Sequence, residues 1–201
     1  MNYLAVDTGG NHLTIVIQKG EQLYTTHLDN ALLKNSVTLM TEIENLLEKA
    51  DLSLGEIDAF GAAIGPGSFT GIRIGVSTIK ALAYANKKKV FSVTSFESLA
   101  YDSGESKVLA VVDAKHSNYY VCGFNGDEIS FPPKFVNIDE LKEIASGYKV
   151  VCDSELEIPY IKGDYLQGFI KAAAKNLAKA VEDVEVLIPL YVKKSQAEEE
   201  R

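Results

Sequence analysis

The order of apolar and polar positions predicts alternating strands and helices in the first half of the chain. Three short apolar or β-branched runs come first, separated by turns at Thr8–Asn11 and Gly20, and this spacing favours a meander of hairpins. Apolar residues at helical spacing follow, then a strand, a second helix, a strand and a helical turn. The predicted ranges are Asn2–Asp7, His12–Ile17, Glu21–Leu28, Asn35–Ala50, Ile57–Ile64, Thr70–Asn86, Val90–Val93 and Ser95–Ala100.

The second half repeats this order of elements without repeating the sequence. Val108–Asp113 has the same form as Leu4–Asp7, because both are apolar strands that end in aspartate. The alternation predicts an α/β fold with a mixed sheet in each half. We place the boundary in the polar segment Tyr101–Lys107, which gives domains 1–102 and 103–201. The predicted elements are Val108–Asp113, Ser117–Phe124, Ile129–Val136, Ile138–Ser146, Val150–Cys152 and Gly168–Val181.

Charge and hydropathy narrow the classes of function. The 201 residues include 20 basic and 28 acidic side chains, a net charge of −8. This balance disfavours direct binding of tRNA or DNA, because neutralising phosphates supplies most of that affinity. No apolar run approaches the roughly 18–20 residues of a membrane span, and the first residues lack the pattern of a signal peptide. We therefore expect a cytoplasmic protein that does not enter a membrane.

Cysteine and histidine give little support to metal or redox chemistry. Cys122 and Cys152 each lie in a strand-like run, which favours two buried reduced thiols and leaves a disulfide as the alternative. The histidines His12, His27 and His116 are scattered without the spacing of metal ligands. We therefore predict no metal site in this chain.

A glycine-rich loop between a strand and a helix is the most informative motif. Gly65–Gly75 has the sequence GPGSFTGIRIG, in which Thr70 can cap the helix and Arg73 falls in its first turn. Free amides at a helix start attract anions, so one interpretation is a phosphate or carboxylate site, and the other is a tight turn with Arg73 on the surface. Strand-end aspartates can hold a metal–nucleotide complex or cap turns. The candidate anion or nucleotide contacts are Asp7, Gly65, Gly67, Ser68, Thr70, Gly71, Arg73 and Asp113.

The helix after this loop is apolar on nearly all sides, with Arg73 and Lys80 as its charged residues. Such a helix is either enclosed by its own fold or presents one face to a partner chain.

Several motifs resemble the TsaB (YeaZ) family. They are the opening Leu4–Thr8, the glycine loop, Val112–Lys115 followed by two tyrosines, and the ending Pro189–Glu198. The resemblance covers the whole chain in order. It implies the actin-like ATPase (ASKHA) fold with two duplicated α/β domains. It also implies a noncatalytic partner of TsaD, which with TsaE forms N6-threonylcarbamoyladenosine beside the anticodon of tRNAs reading codons that start with A.

The resemblance further implies how the chain would act. Its two long helices would pack on those of a TsaD-like catalytic subunit, or on a second copy when that subunit is absent, and a charge at Val76 or Ile79 would weaken this association. A TsaE-like ATPase would join the complex, tRNA would bind only indirectly, and ATP and a divalent metal would belong to the partner subunits. The expected interface residues are Ser36, Met40, Ile43, Leu47, Ile72, Val76, Ile79, Lys80 and Ala83.

The sequence departs from the family pattern at two places. Asn35-Ser36 stands where many members have histidine before the serine, and Lys115 stands where the family usually has arginine. Two enzymatic alternatives stay open. One is a small ATP-binding kinase-like enzyme that uses Asp7 or Asp113 and the turn after Asp7, and the other, less favoured, is a peptidase.

Overall fold

The computed structural model describes residues 1–29 and 35–193, without the side chains of Asn35 and Ser36. The chain forms two compact units. The first comprises Met1–Thr94 and Ala172–Pro189, and the second comprises Ser95–Lys171 and the segment that begins at Leu190. The predicted boundary at residue 102 does not coincide with this division. The first stretch of the first unit ends at Thr94, together with the last strand of that unit. The later segment Ala172–Pro189 then returns to the first unit.

A five-stranded mixed sheet organises the first unit, with the order β3-β2-β1-β4-β5. β1, β2 and β3 are antiparallel neighbours, whereas β1, β4 and β5 run parallel. Two helices, α1 and α2, pack with the sheet in one apolar core, since the alternate side chains of β1 and β2 face them. The elements are β1 Tyr3–Asp7, β2 His12–Lys19, β3 Gln22–Asp29, α1 Asn35–Ala50, β4 Ala59–Gly65, α2 Phe69–Asn86 and β5 Lys89–Thr94.

The second unit repeats this arrangement. Its sheet has the order β10-β9-β6-β7-β8, with β6, β7 and β8 antiparallel and β6, β9 and β10 parallel. Apolar clusters cover both faces of the sheet. The predicted duplication of topology is therefore confirmed. The elements are α3 Ser95–Ala100, β6 Lys107–Asp113, β7 Asn118–Asn125, β8 Glu128–Asn137, α4 Ile138–Ala145, β9 Lys149–Cys152, β10 Ile161–Lys162 and α5 Tyr165–Asn176, of which the part from Ala172 belongs to the first unit.

The last helix differs from its prediction. The expected range was Gly168–Val181, but α5 begins at Tyr165 and ends at Asn176, where a 3-10 turn, Leu177–Lys179, follows. The helix ends early because Val181 forms an antiparallel bridge with Val90 on β5, which requires an extended backbone. The short strand β10 was not predicted either, since two residues carry too little periodicity.

Both cysteines are free and buried, as the favoured interpretation predicted. Burial raises the pKa of the Cys122 thiol to about 12, so this thiol is protonated at neutral pH. Over the described ranges, no helix is long and apolar enough to span a membrane.

Gly168 on α5 lies where a larger residue cannot fit, because a Cβ there would overlap the carbonyl oxygen of Ser98 on α3. We predict that Gly168→Ala lowers the free energy of unfolding by about 1–3 kcal/mol, since backbone must shift. Urea unfolding followed by circular dichroism measures this change. Gly147→Ala is the control, because only the Lys107 ammonium lies near that position, and it should alter stability by less than about 0.5 kcal/mol. Equal effects of the two substitutions would contradict the prediction.

Candidate functional site

The glycine loop is packed against the turn between β1 and β2. The amide of Ser68 donates a hydrogen bond to the carbonyl of Gly9, at 2.7 Å. A Cβ at Gly67 would overlap this carbonyl oxygen, and a Cβ at Gly71 would overlap the carbonyl oxygen of Thr8. Backbone therefore meets backbone at both positions, which only glycine allows.

The Thr8 hydroxyl extends this contact into α2. It donates to the carbonyl of Gly71 at 2.6 Å and accepts from the amide of Gly75 at 3.1 Å. These two groups are one helical turn apart, the spacing at which a helix bonds to itself. Thr8 is buried, so water does not compete for these two hydrogen bonds. The β1–β2 turn therefore anchors the first two turns of α2.

Ser68, and not Thr70 as predicted, is the N-cap of α2. Its Oγ accepts a hydrogen bond from the amide of Gly71 at 3.2 Å, and the helix begins at Phe69. The structure thus brings the predicted anion contacts Asp7, Gly65, Gly67, Ser68 and Gly71 into one region. Close packing accounts for Gly67 and Gly71, and helix capping accounts for Ser68. Anion binding by this loop stays a prediction.

Arg73 lies on the solvent side of α2, away from the packed loop. Its guanidinium carbon lies 3.7 Å from the centroid of the Phe69 ring, a cation–π contact. Both residues, with Thr70, Ile74, Ser77 and Thr78, line a shallow groove of about 520 Å³. The guanidinium of Arg73 therefore lies against an exposed aromatic ring on the helix surface.

Most of the predicted interface residues lie in the core of the first unit. Their apolar side chains pack with the side chains of the sheet in one core cluster. They cannot form a docking surface, and a charge at Val76 or Ile79 would disrupt the core. The buried residues are Ile43, Leu47, Ile72, Val76, Ile79 and Ala83.

Three predicted interface residues do not belong to this buried set. Met40 on α1 is 41% exposed. Lys80 on α2 forms an ion pair with Glu185 in the same unit, at 2.8 Å. The side chain of Ser36 lies outside the described residues.

The outward side of α1 and α2 is unusually apolar for a surface. Val37 is 78% exposed, Tyr84 76% and Phe69 51%, and Ser77 and Ala81 are small exposed residues on α2. Small side chains allow a second helix to approach closely. We term this surface the α1–α2 face. Its members are Val37, Met40, Glu44, Phe69, Arg73, Ser77, Ala81 and Tyr84.

The two strand-end aspartates are engaged by groups of the protein itself. Asp7 is fully buried, and its Oδ1 accepts the amide of Gly9 at 2.7 Å. Asp113 accepts the amide and the ammonium of Lys115, each at 2.7 Å. Burial opposes ionisation of Asp113, but the hydrogen bonds and charge of Lys115 outweigh it and lower the pKa of the carboxyl. This geometry does not favour the kinase-like alternative, which needs these carboxylates at a metal.

The turn that follows Asp113 is strained. Lys115, His116 and Ser117 have φ values of 68°, 55° and 56°. Such left-handed conformations cost about 1–2 kcal/mol for each non-glycine residue. Asn118 supports the turn, since its side-chain Nδ2 donates to the carbonyl of His116 at 2.9 Å. The Lys115 ammonium therefore neutralises the charge of the Asp113 carboxylate within the same turn.

Two of the scattered histidines meet in the structure, which sequence reasoning missed. The rings of His12 and His27 stack with centroids 5.4 Å apart. His27 Nδ1 lies 2.8 Å from the Thr14 hydroxyl, and its Nε2 lies 3.6 Å from Asp29. This order resembles a nucleophile, base and acid, but Thr14 is fully buried, so a substrate cannot reach its hydroxyl. The sequence signal that could have revealed this contact is the two-residue turn at Gly20 and Glu21. This turn fixes the hairpin register that pairs Thr14 with His27.

Comparisons with known proteins identify the family of this chain. The family model for TsaD, tRNA N6-adenosine threonylcarbamoyltransferase, matches residues 30–153. The chain is similar to "tRNA threonylcarbamoyladenosine biosynthesis protein TsaB" of Bacillus subtilis, 29% identical over 60% of this chain and 53% of the relative. The protein of the same name from Escherichia coli is 26% identical over 64% of this chain and 57% of the relative. These alignments span little more than half the length of the relatives.

The solved structure of YeaZ from Pseudomonas aeruginosa has the same fold. It superposes with a TM-score of 0.77 at 18% identity, covering 94% of this chain and 99% of that chain. The duplicated mixed sheets and this match define an α/β protein with an actin-like ATPase (ASKHA) type of fold. The chain belongs to the TsaD family, and it is similar to TsaB (YeaZ) proteins.

The contact between Thr8 and α2 gives a testable consequence. We predict that Thr8→Val, which keeps the shape of the side chain, lowers the free energy of unfolding by about 1–3 kcal/mol, because the hydroxyl hydrogen bonds are lost in a buried site. The midpoint of urea unfolding measures the change. Thr78→Val on the same helix is the control, since its half-buried hydroxyl makes no hydrogen bond with the described residues, and should change little. An unchanged midpoint for Thr8→Val would show that the hydroxyl is not an anchor.

Proposed function

We propose that this chain is a noncatalytic scaffold subunit in the formation of N6-threonylcarbamoyladenosine on tRNA. The modified adenosine would lie beside the anticodon of tRNAs that read codons starting with A. The chain would bind a TsaD-like catalytic subunit and hold it in its active arrangement. Membership of the TsaD family and the names of the TsaB relatives support the pathway.

The α1–α2 face is the observation that carries the docking role. Exposed aromatic and aliphatic side chains lie on two helices that pack side by side on the same sheet. Large exposed apolar side chains gathered on neighbouring helices are typical of an interface with another chain. The small residues Ser77 and Ala81 would let a partner helix approach, while Arg73 would meet a carboxylate or a carbonyl of the partner.

The engaged aspartates support a role without catalysis. Asp7 is buried and accepts the amide of Gly9, and Asp113 is paired with Lys115, so the protein itself takes up part of the capacity of each carboxylate to bind a metal. ATP and a divalent metal would instead belong to the catalytic subunit and to a TsaE-like ATPase that joins the complex. The net charge of −8 fits this division, because the partner would supply the basic surface that tRNA requires.

In the absence of the catalytic subunit, the same face would pair two copies of this chain. A two-fold axis would bring each α2 against the other, so that one self-complementary patch serves both assemblies. Binding of the partner would then compete with the homodimer. All of these assemblies would form in the cytoplasm.

Reconstitution tests the proposed pathway. We predict that TsaC-, TsaD- and TsaE-like proteins from the same organism form threonylcarbamoyladenosine on tRNA with this chain, and that omission of the chain lowers the yield about tenfold or more, since the catalytic subunit loses its support. Nucleoside analysis by mass spectrometry measures the product. This chain with ATP and tRNA alone should give none. Equal yields with and without the chain would refute the proposal.

A single substitution tests the α1–α2 face. We predict that Ala81→Glu weakens binding to the TsaD-like subunit about tenfold or more, because the interface would enclose an unpaired charge, while the fold is kept since position 81 is exposed. Titration by calorimetry measures the affinity. The control is Ile129→Glu, an exposed apolar residue on β8 of the second unit, which should bind like the unchanged chain. Unaltered affinity of Ala81→Glu would place the interface elsewhere.

A further inference from the structure

The two sheets have four outer strands, and three of these edges are protected. β5 is bridged by Val181, which occupies its free side. β10 contains only two residues. β8 carries Pro132, Pro133 and Lys134, and its register with β7 shifts twice. Bridges, short length, proline, lysine and bulges all prevent the addition of another strand.

Within the residues that the structure describes, the fourth edge, β3, carries none of these protections. Gln22–Asp29 is a regular strand of 8 residues without proline, lysine or a register shift. It is rich in residues that favour strands, namely Tyr24, Thr25 and Thr26, and its Leu23 and Leu28 are 43% and 38% exposed. An open edge of this length is a template for a further strand.

The register identifies the backbone groups that point outward. Lys19 and Gln22 close a two-residue turn that contains Gly20, whose φ is 58°. Closing residues of such a hairpin bond to each other, and bonding alternates along the strand. The amides and carbonyls that face the open edge therefore belong to Leu23, Thr25, His27 and Asp29. In the described parts of the chain, no hydrogen bond to these backbone groups is recorded on the outer side.

We propose that the β3 edge binds an extended segment of a different chain, which adds a strand to the sheet of the first unit. The segment is β-branched or apolar at alternate positions and carries lysine or arginine at its ends. This surface is separate from the α1–α2 face and does not depend on the proposed function. Main-chain hydrogen bonds supply its affinity, as in other cases of strand addition.

The charges at the two ends of the β3 edge favour a different chain over a second copy of this chain as the added strand. Glu21 and Asp29 place carboxylates at the two ends of the edge. In self-pairing centred on Thr25, Glu21 of one copy would lie opposite Asp29 of the other, and like charges directly opposite destabilise a strand pair. The net charge of −8 adds to this repulsion. A segment with basic ends meets both carboxylates favourably.

Amide hydrogen exchange with a defined peptide tests the proposal. The probe is an acetylated and amidated peptide of sequence KVTVTVTK, added to the full chain and followed by NMR. Exchange at Leu23, Thr25, His27 and Asp29 is expected to slow about tenfold or more at saturation, because each tenfold of protection corresponds to 1.4 kcal/mol of binding. Amides that already bond to β2, such as Tyr24 and Thr26, are expected to change little.

Controls separate strand addition from other binding. Thr25→Pro removes an outward donor but no bond to β2, and it should abolish the protection, whereas Thr25→Ser should keep it. If Thr25→Pro does not fold, the peptide KVTPTVTK on the unchanged chain gives the same test and should not bind. The peptide EVTVTVTE should bind about tenfold more weakly.

Three outcomes would overturn the inference. One is unchanged exchange at the four outward amides at millimolar peptide. Another is equal binding of the lysine-ended and glutamate-ended peptides. The third is protection that rises with protein concentration without peptide, which would assign the edge to a second copy of the chain.

Discussion

The first unit depends on the insertion of the β1–β2 turn into the start of α2. The Thr8 hydroxyl connects two backbone groups of the helix, and the Gly9 carbonyl receives the amide of Ser68. These bonds fix both where α2 begins and how it rotates about its axis. Rotation decides which residues enter the core and which reach the surface. Packing against the β1–β2 turn therefore requires the glycines of the loop. The same packing sets which residues of α2 lie on the α1–α2 face.

The order of elements could be predicted from the sequence because it rests on local periodicity. α1 has its predicted bounds, and most strands lie within two residues of their predictions. The repeat of an apolar strand ending in Asp7 and Asp113 was enough to indicate two units of the same topology. The return of residues 172–189 to the first unit could not be predicted, since it rests on distant pairings such as Asn176 with the carbonyl of Ser92.

The site was predicted less well, for physical reasons that differ from residue to residue. α2 is apolar nearly all round, so its pattern could not tell the buried stripe of Val76 from the exposed stripe of Ala81. The orientation came from Thr8, a contact 63 residues away in sequence from Gly71. The glycine loop suggested an anion site, because glycine serves close approach to a ligand and close approach to backbone equally. The histidine pair required the hairpin register.

The discontinuity of the first unit has a consequence for how the chain acquires its structure during synthesis. Val90 bonds with Val181, and α5 reaches its partners on β5 only after residues 95–171 of the second unit have left the ribosome. Contacts of such long sequence separation form late and slowly. The second unit is completed later still, because it includes the segment that begins at Leu190. Until the C-terminal segment arrives, the growing chain exposes a β5 edge that the finished protein covers, so this edge gains its protection only late in synthesis.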